Sequence, residues 1–271
     1  MALIISIICS GCTTPAARVD AEAARLGFER QTVRGTLFPH RVYLKPLKTG
    51  SKTVHVYIEG DGTPWLLANL PSSDPTPRNP LMLRLMAQDP EPSLYLGRPC
   101  YFGFAETPPC KAWWWTDGRF APEVVDSMAA ALNRLRVQYQ FNSVVLIGHS
   151  GGGALAVLLA SRPIKADAIV TLAGNLDTDA WTQYHQFDAL SGSLNPARMA
   201  TLEKGITQLH FLGESDQIIP PVLLSRFATR QPQAHFKIYP EFDHHCCWEK
   251  EWSEILKMLS RFSNPMSVKA G

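Results

Sequence analysis

Ser150 lies in Gly148-His149-Ser150-Gly151-Gly152, a G-x-S-x-G pattern, and the chain on either side says what that pattern is for. Upstream, Val144, Val145, Leu146 and Ile147 form a short β-branched apolar run, which reads as a strand buried on both faces of a parallel sheet. Downstream, "ALAVLLASR", Ala154 to Arg162, reads as a helix. A chain that passes from strand to helix in so few residues turns sharply, forcing the corner residue into strained dihedrals and its side chain outward. Glycines flank the corner because a Cβ there would collide with the neighbouring strand and helix. In this context the pattern is a nucleophile elbow. Two phosphate-cradling alternatives fail on residue identity. A Walker loop needs a lysine after its glycines and none follows, and a dinucleotide fingerprint needs a glycine where Ser150 stands.

A serine hydroxyl is nearly inert at neutral pH, so Ser150 needs a base, and the base needs an orienting acid. After an elbow of this kind the acid comes first along the chain and the histidine second. In "FLGESDQIIP", Asp216 follows a strand that should end near Gly213 and precedes a Pro-started helix; it is favoured over Glu214 and Asp177. "YPEFDHHCCW" supplies His244 and His245 between the last strand signal and the C-terminal helix, and only one of the two can be the base. His149 is the variable elbow position, while His55, His210 and His235 lie within strands and read as packed or exposed. The backbone N–H of Gly151, next after the nucleophile, is one expected donor to an oxyanion. Such chemistry needs neither a metal nor an organic cofactor.

Elements that position these residues are legible around them. "RVYLKPL" and "TVHVYIEGDG" read as successive strands, "NPLMLRLMAQ" as a helix with Pro80 in its first turn, and "SLYLGRP" as a short strand. "APEVVDSMAAALNRLRVQY" has helical spacing through Val125, Met128, Ala129, Leu132 and Leu135. Beyond the elbow come strand signals in "DAIVTLAG", "ITQLHFLGESD" and "AHFKIYP", with helices in "PVLLSRFAT" and "WEKEWSEILKMLSRF". Strands separated by helices predict an α/β fold with a mostly parallel central sheet flanked by helices. From Asn175 to about Gly205 strand signals lapse and Trp181, Tyr184, His185 and Phe187 appear, which predicts a small lid. "LPSSDPTPRNP" is a proline-rich loop too short to link domains.

Taken together, "EGDGTPW", "GRPCYF", "WWWTDGRFAPEVV", "NLDTDAWT" and "DHHCCW" resemble bacterial exported or lipoprotein serine hydrolases of the α/β-hydrolase superfamily. The resemblance runs from about Val42 to the C-terminal helix and implies that fold. It favours His244 as base, because the Asp243-His244 step resembles the family's final motif, with His245 as the alternate. The second oxyanion donor in the family usually comes from a His-Gly motif after an early strand. Here Glu59-Gly60 stands in its place, making the N–H of Asp61 the candidate. A carboxylate aimed at a developing anion would raise the barrier, so the Asp61 side chain must turn away, onto Arg98 or Arg119. Trp65, Trp113 to Trp115 and Trp181 are available to line an apolar pocket.

The chain has 271 residues, 45% of them hydrophobic, enough for one large core. Its net charge of +2, with signs interspersed, leaves no footprint for nucleic acid. "MALIISIICSGCTTP" resembles a lipoprotein signal, although no Lys or Arg precedes its apolar run. That divides the chain into a signal peptide at 1–11, a tether and lead-in at 12–40 beginning with a lipidated Cys12, and a hydrolase domain at 41–271 with its lid at about 175–205. Export permits disulfides, and Cys100 with Cys110 is the best candidate pair, while Cys246 and Cys247 pair with each other, stay reduced or reach the other two. The expected protein is an envelope lipoprotein facing the periplasm, a carboxylesterase-like serine hydrolase cleaving an ester, thioester or amide of a small molecule. A non-catalytic scaffold on the same fold, or an acyltransferase using the same triad, is the alternative.

Overall fold

In the computed structural model, residues 13–46, 50–67 and 69–263 are described. The first helix, α1 (Pro15–Arg25), starts where Thr14 accepts the Ala17 N–H at 3.1 Å, with Pro15 in the first turn, and it buries Val19 and Ala23. Strands β1 (Glu29–Arg34), β2 (Pro39–Leu44) and β3 (Thr53–Ile58) follow, then a small hairpin of β4 (Trp65–Leu67) and β5 (Leu70–Pro71). Next come α2 (Leu81–Gln88), β6 (Ser93–Leu96), α3 (Pro122–Tyr139), β7 (Ser143–His149), α4 (Gly151–Ala160) and β8 (Ala166–Leu172). The remainder holds α5 (Thr178–His185), β9 (Thr207–Gly213), α6 (Ser225–Arg230), β10 (His235–Tyr239) and α7 (Trp248–Ser263).

Eight strands form one sheet in the order β1-β2-β6-β3-β7-β8-β9-β10. From β6 to β10 every neighbour is parallel, while β2 runs antiparallel to both β1 and β6. The run Val144 to Ile147 is buried throughout β7, as a strand covered on both faces must be. Helix α3 packs on α4, and α2 packs on α7. Every residue of α4 is buried, consistent with a sequence that is small or apolar all round.

Two boundaries differ from the sequence reading. The domain does not begin at residue 41: within the stretch expected to be a lead-in, α1 packs on β1, and β1 pairs with β2 from Glu29↔Leu44 to Arg34↔Pro39. The strand "ERQTVR" is a polar edge with one buried side chain, Val33, so it lacks the apolar alternation that marks a strand in sequence. The proline-rich loop is also partly ordered into strand, since Leu70 pairs with Leu67 in the small hairpin. Residues 1–11 and Cys12 lie outside the described residues.

Candidate active site

Ser150 follows the last residue of β7 and precedes the first of α4, with φ 54° and ψ −122°. A non-glycine residue held there costs about 1–3 kcal/mol, which the enclosed strand and helix on either side sustain. The flanking glycines are sterically required. A Cβ on Gly148 would strike the Gly152 carbonyl, and one on Gly152 would strike the Ile58 and Glu59 carbonyls at the end of β3.

Asp216 and His244 meet at this end of the sheet. Asp216 sits in the turn after β9, where its Oδ1 accepts the N–H groups of Ile218 and Ile219, each at 2.8 Å. Its Oδ2 lies 2.9 Å from His244 Nδ1. Burial works against ionisation of Asp216, but the His244 contact and the two backbone donors outweigh it and hold the carboxyl below its usual range. An ionised carboxylate only accepts, so Nδ1 of His244 carries the proton and Nε2 is left as the basic nitrogen. His245 is exposed, with its backbone N–H on Asp243 Oδ1 at 2.7 Å, and no carboxylate bonds its ring among the described residues. Glu214 is exposed, while Asp177 caps α5 through the Ala180 N–H and pairs with Arg226 at 2.8 Å. Both competitors for the acid position are therefore committed elsewhere or directed to solvent.

His149, read from sequence as only the variable elbow position, holds the backbone of His244. Its Nε2 is 2.8 Å from the His244 carbonyl, which also accepts Trp248 Nε1–H at 3.2 Å. A carbonyl cannot donate, so Nε2 of His149 bears the hydrogen. Burial, reinforced by the neighbouring His244 charge, pushes His149 down to about 3 and keeps it a neutral donor.

The turn after β3 packs against the elbow: a Cβ on Gly60 would lie 3.3 Å from the Cβ of Ser150. Nearly every polar group of this turn is engaged. Glu59 Oε1 accepts the Gly60 N–H at 3.4 Å, and the Asp61 carbonyl accepts Tyr101 OH at 2.9 Å. The Asp61 carboxylate turns onto both predicted partners, Arg98 through Nη1 and Arg119 through Nη1, the latter at 2.6 Å. Burial opposes its ionisation, yet the two guanidinium groups lower Asp61 to about 2. The Asp61 N–H has no acceptor among the described residues, and Gly151 opens α4, where the N–H has no intrahelical partner.

Ser150, His149, His244 and His245 border one cleft of about 1150 Å³ at the C-terminal ends of the strands. Asp61, Arg119, the β4–β5 hairpin and the expected lid line it too, the last through Trp181, Phe187 and Leu190. Trp65 and Trp181 border the cleft, but Trp113 to Trp115 do not: they form a 3₁₀ turn in which Trp115 is buried and Trp114 packs edge-on against Phe38 at 5.0 Å.

A family model described as alpha/beta hydrolase fold matches residues 99–203, which include Ser150 but stop short of Asp216 and His244. The structure overlays on an esterase of Pyrococcus furiosus with a TM-score of 0.61 at 15% identity, covering 93% of this chain and 95% of that one. This is the α/β-hydrolase fold. A Xanthomonas campestris protein described as an α/β serine hydrolase without lid shares the fold at a TM-score of 0.54 and 14% identity, over 90% of this chain and 96% of that one. A puromycin-hydrolyzing peptidase of Mycobacterium tuberculosis overlays on the structure with a TM-score of 0.61 at 15% identity, over 89% of this chain and 39% of that one. No curated protein matches the chain.

Away from the cleft floor, Cys100 and Cys110 are bonded to each other, leaving Cys246 and Cys247 to one another. No cluster of three or more His, Cys, Asp or Glu suited to a metal occurs among the described residues.

Proposed function

We propose that the protein is a serine hydrolase that cleaves an ester, or a thioester or amide, through an acyl-enzyme. Ser150 attacks the carbonyl, His244 takes the serine proton and returns it to the leaving group, and Asp216 orients the imidazole and stabilises its charged form. The N–H groups of Asp61 and Gly151 receive the oxyanion. The observation that carries this reading is a strained Ser150 on the same cleft as a histidine whose Nδ1 is committed to a buried carboxylate. A binding-only scaffold would maintain that strain and that buried hydrogen bond to no purpose. The mixed lining, with Trp65, Leu66, Leu67, Trp181 and Phe187 on the walls, suits a small ester with apolar substituents.

Fluorophosphonate labelling tests the reading. The wild type is labelled at Ser150, Ser150→Ala is not, and labelling of Ser150→Ala elsewhere would identify a different nucleophile. On an activated ester, His244→Ala lowers kcat by roughly 10³-fold or more, and His245→Ala by far less. The reverse order would move the base to His245.

We also infer export and tethering through Cys12. The Cys100–Cys110 bond supports an oxidising compartment. Cys12→Ser then releases the protein from membrane fractions, and unchanged partitioning would sink the anchor.

A further inference from the structure

Glu59 stands where the related motif usually has histidine, and its side chain folds back rather than reaching into solvent. The residue is 5% exposed, yet it borders the cleft. Its Oε2 accepts the Met82 N–H, in the first turn of α2, at 3.0 Å, and its Oε1 accepts the Gly60 N–H. Among the described residues no cation bonds this carboxyl. Arg84, the guanidinium on α2, is bonded to Glu249 at 2.5 Å and lies 4.0 Å from Glu22.

We propose that Glu59 is a positioning residue of this site that works as the neutral acid: it fixes the turn presenting the Asp61 N–H, and its ionisation slows acylation. The inference rests on the serine-hydrolase reading above. Geometry gives the carboxyl two tasks. By occupying the Gly60 N–H it leaves Asp61 N–H as the turn's available donor, and by holding Met82 N–H it ties that turn to α2. Ionisation changes the electrostatics without removing either bond. A full negative charge would then stand in the same turn as the N–H that must receive an oxyanion, in a buried site where charges are poorly screened.

The surrounding groups leave that charge largely uncompensated. Burial pushes Glu59 up to about 8, against the opposing pull of the Met82 and Gly60 N–H groups. Arg84 on α2 favours the charged form and Glu22 on α1 disfavours it. Tyr95 on β6 is kept neutral, well above its usual range, by burial and then by Glu59 itself. His149, on the elbow, is neutral, and Asp61 is neutralised by Arg98 and Arg119. Burial with no bonded cation therefore favours the protonated form of Glu59.

The test is the pH dependence of kcat/KM on an uncharged p-nitrophenyl ester, corrected for spontaneous hydrolysis. In the wild type the rate falls above about pH 8, approaching tenfold per pH unit if the ionised form is inactive. Glu59→Gln, which keeps the size and one of the two acceptor oxygens, lacks this alkaline limb. Glu59→Leu lowers kcat by about 10²-fold with little change in KM, the signature of a mispositioned oxyanion donor, and Gln recovers at least tenfold of that loss. An alkaline limb with the same midpoint in Glu59→Gln, or wild-type kcat in Glu59→Leu, would overturn the proposal. Infrared difference spectra supply a readout independent of turnover and of any unstable variant: a protonated-carboxyl band disappears as the wild type is taken through about pH 8 and is missing from Glu59→Gln. Its absence from the wild type at neutral pH overturns the neutral-acid role. Labelled wild-type Ser150 with no alkaline limb counts against Glu59 alone, whereas an unlabelled wild type removes the hydrolase reading beneath it.

Discussion

Between Gly148 and Gly152 the chain turns through a corner that side chains cannot enter, whereas between Ile58 and Gly62 it turns through one that two carboxyl groups and two arginines hold in place. The elbow is specified by volume: its glycines abut backbone carbonyls, and the helix behind it is wholly enclosed. The turn after β3 is specified by charge and hydrogen bonding: Glu59 ties it to α2, and Asp61 ties it to Arg98 and Arg119. Holding Ser150 in its strained conformation demands a rigid corner, for which packing is enough. Presenting one free N–H beside it demands that competing polar groups be occupied. The comparison suggests that steric substitutions disable the first turn and charge substitutions the second.

The largest effect is expected at the elbow. Gly152→Val drives a side chain into the Ile58 and Glu59 carbonyls, and the loss of stability should be about 4 kcal/mol, read from the midpoint of urea unfolding. A loss under about 1 kcal/mol would show that the elbow yields and that volume does not specify it. At the other turn, Asp61→Asn is nearly isosteric but leaves two buried guanidinium groups without a counter-charge, which costs about 3 kcal/mol. A neutral outcome there would dissolve the contrast.

The smallest effect sharpens the same point. Asp61 is lowered in the folded chain from 3.8 to about 2, so its stabilisation is complete above its unfolded value and is lost as pH falls through the folded one. About 2 kcal/mol should disappear between roughly pH 5 and pH 2. Asp216 is shifted in the same direction and contributes to the same limb, so the difference between wild type and Asp61→Asn isolates the Asp61 share. Coincident acid limbs in the two proteins would show that the arginines do not hold that charge.

Sequence spacing carried the elbow and the parallel sheet because both are local: a strand, a corner and a helix within twenty residues write their own signature. The meeting of Asp216 and His244 was legible for a similar reason, each lying in the loop that ends a strand. Support from afar was not. His149 holds a carbonyl 95 positions away, a distance at which no periodicity survives, whereas the Asp61 contacts with Arg98 and Arg119 were expected only because that carboxylate had to be turned aside. Edge strand β1 was missed because pairing with β2, rather than apolar alternation, makes it a strand. Glu59 was noticed only as a departure from a motif, since nothing in its neighbours' identities tells that its carboxyl turns back onto Met82.

The complete enclosure of α4 has a corollary for the cleft. An enclosed helix offers the cleft no side chain, so the lining of the cleft can change without changing the helix behind Ser150. The walls of the cleft are instead the hairpin around Trp65 and the segment around Trp181, where Leu66, Leu67 and Phe187 are exposed on the cleft and are not parts of the core. Substitutions in those two segments therefore alter the walls of the cleft and leave the packing of the corner at Ser150 untouched.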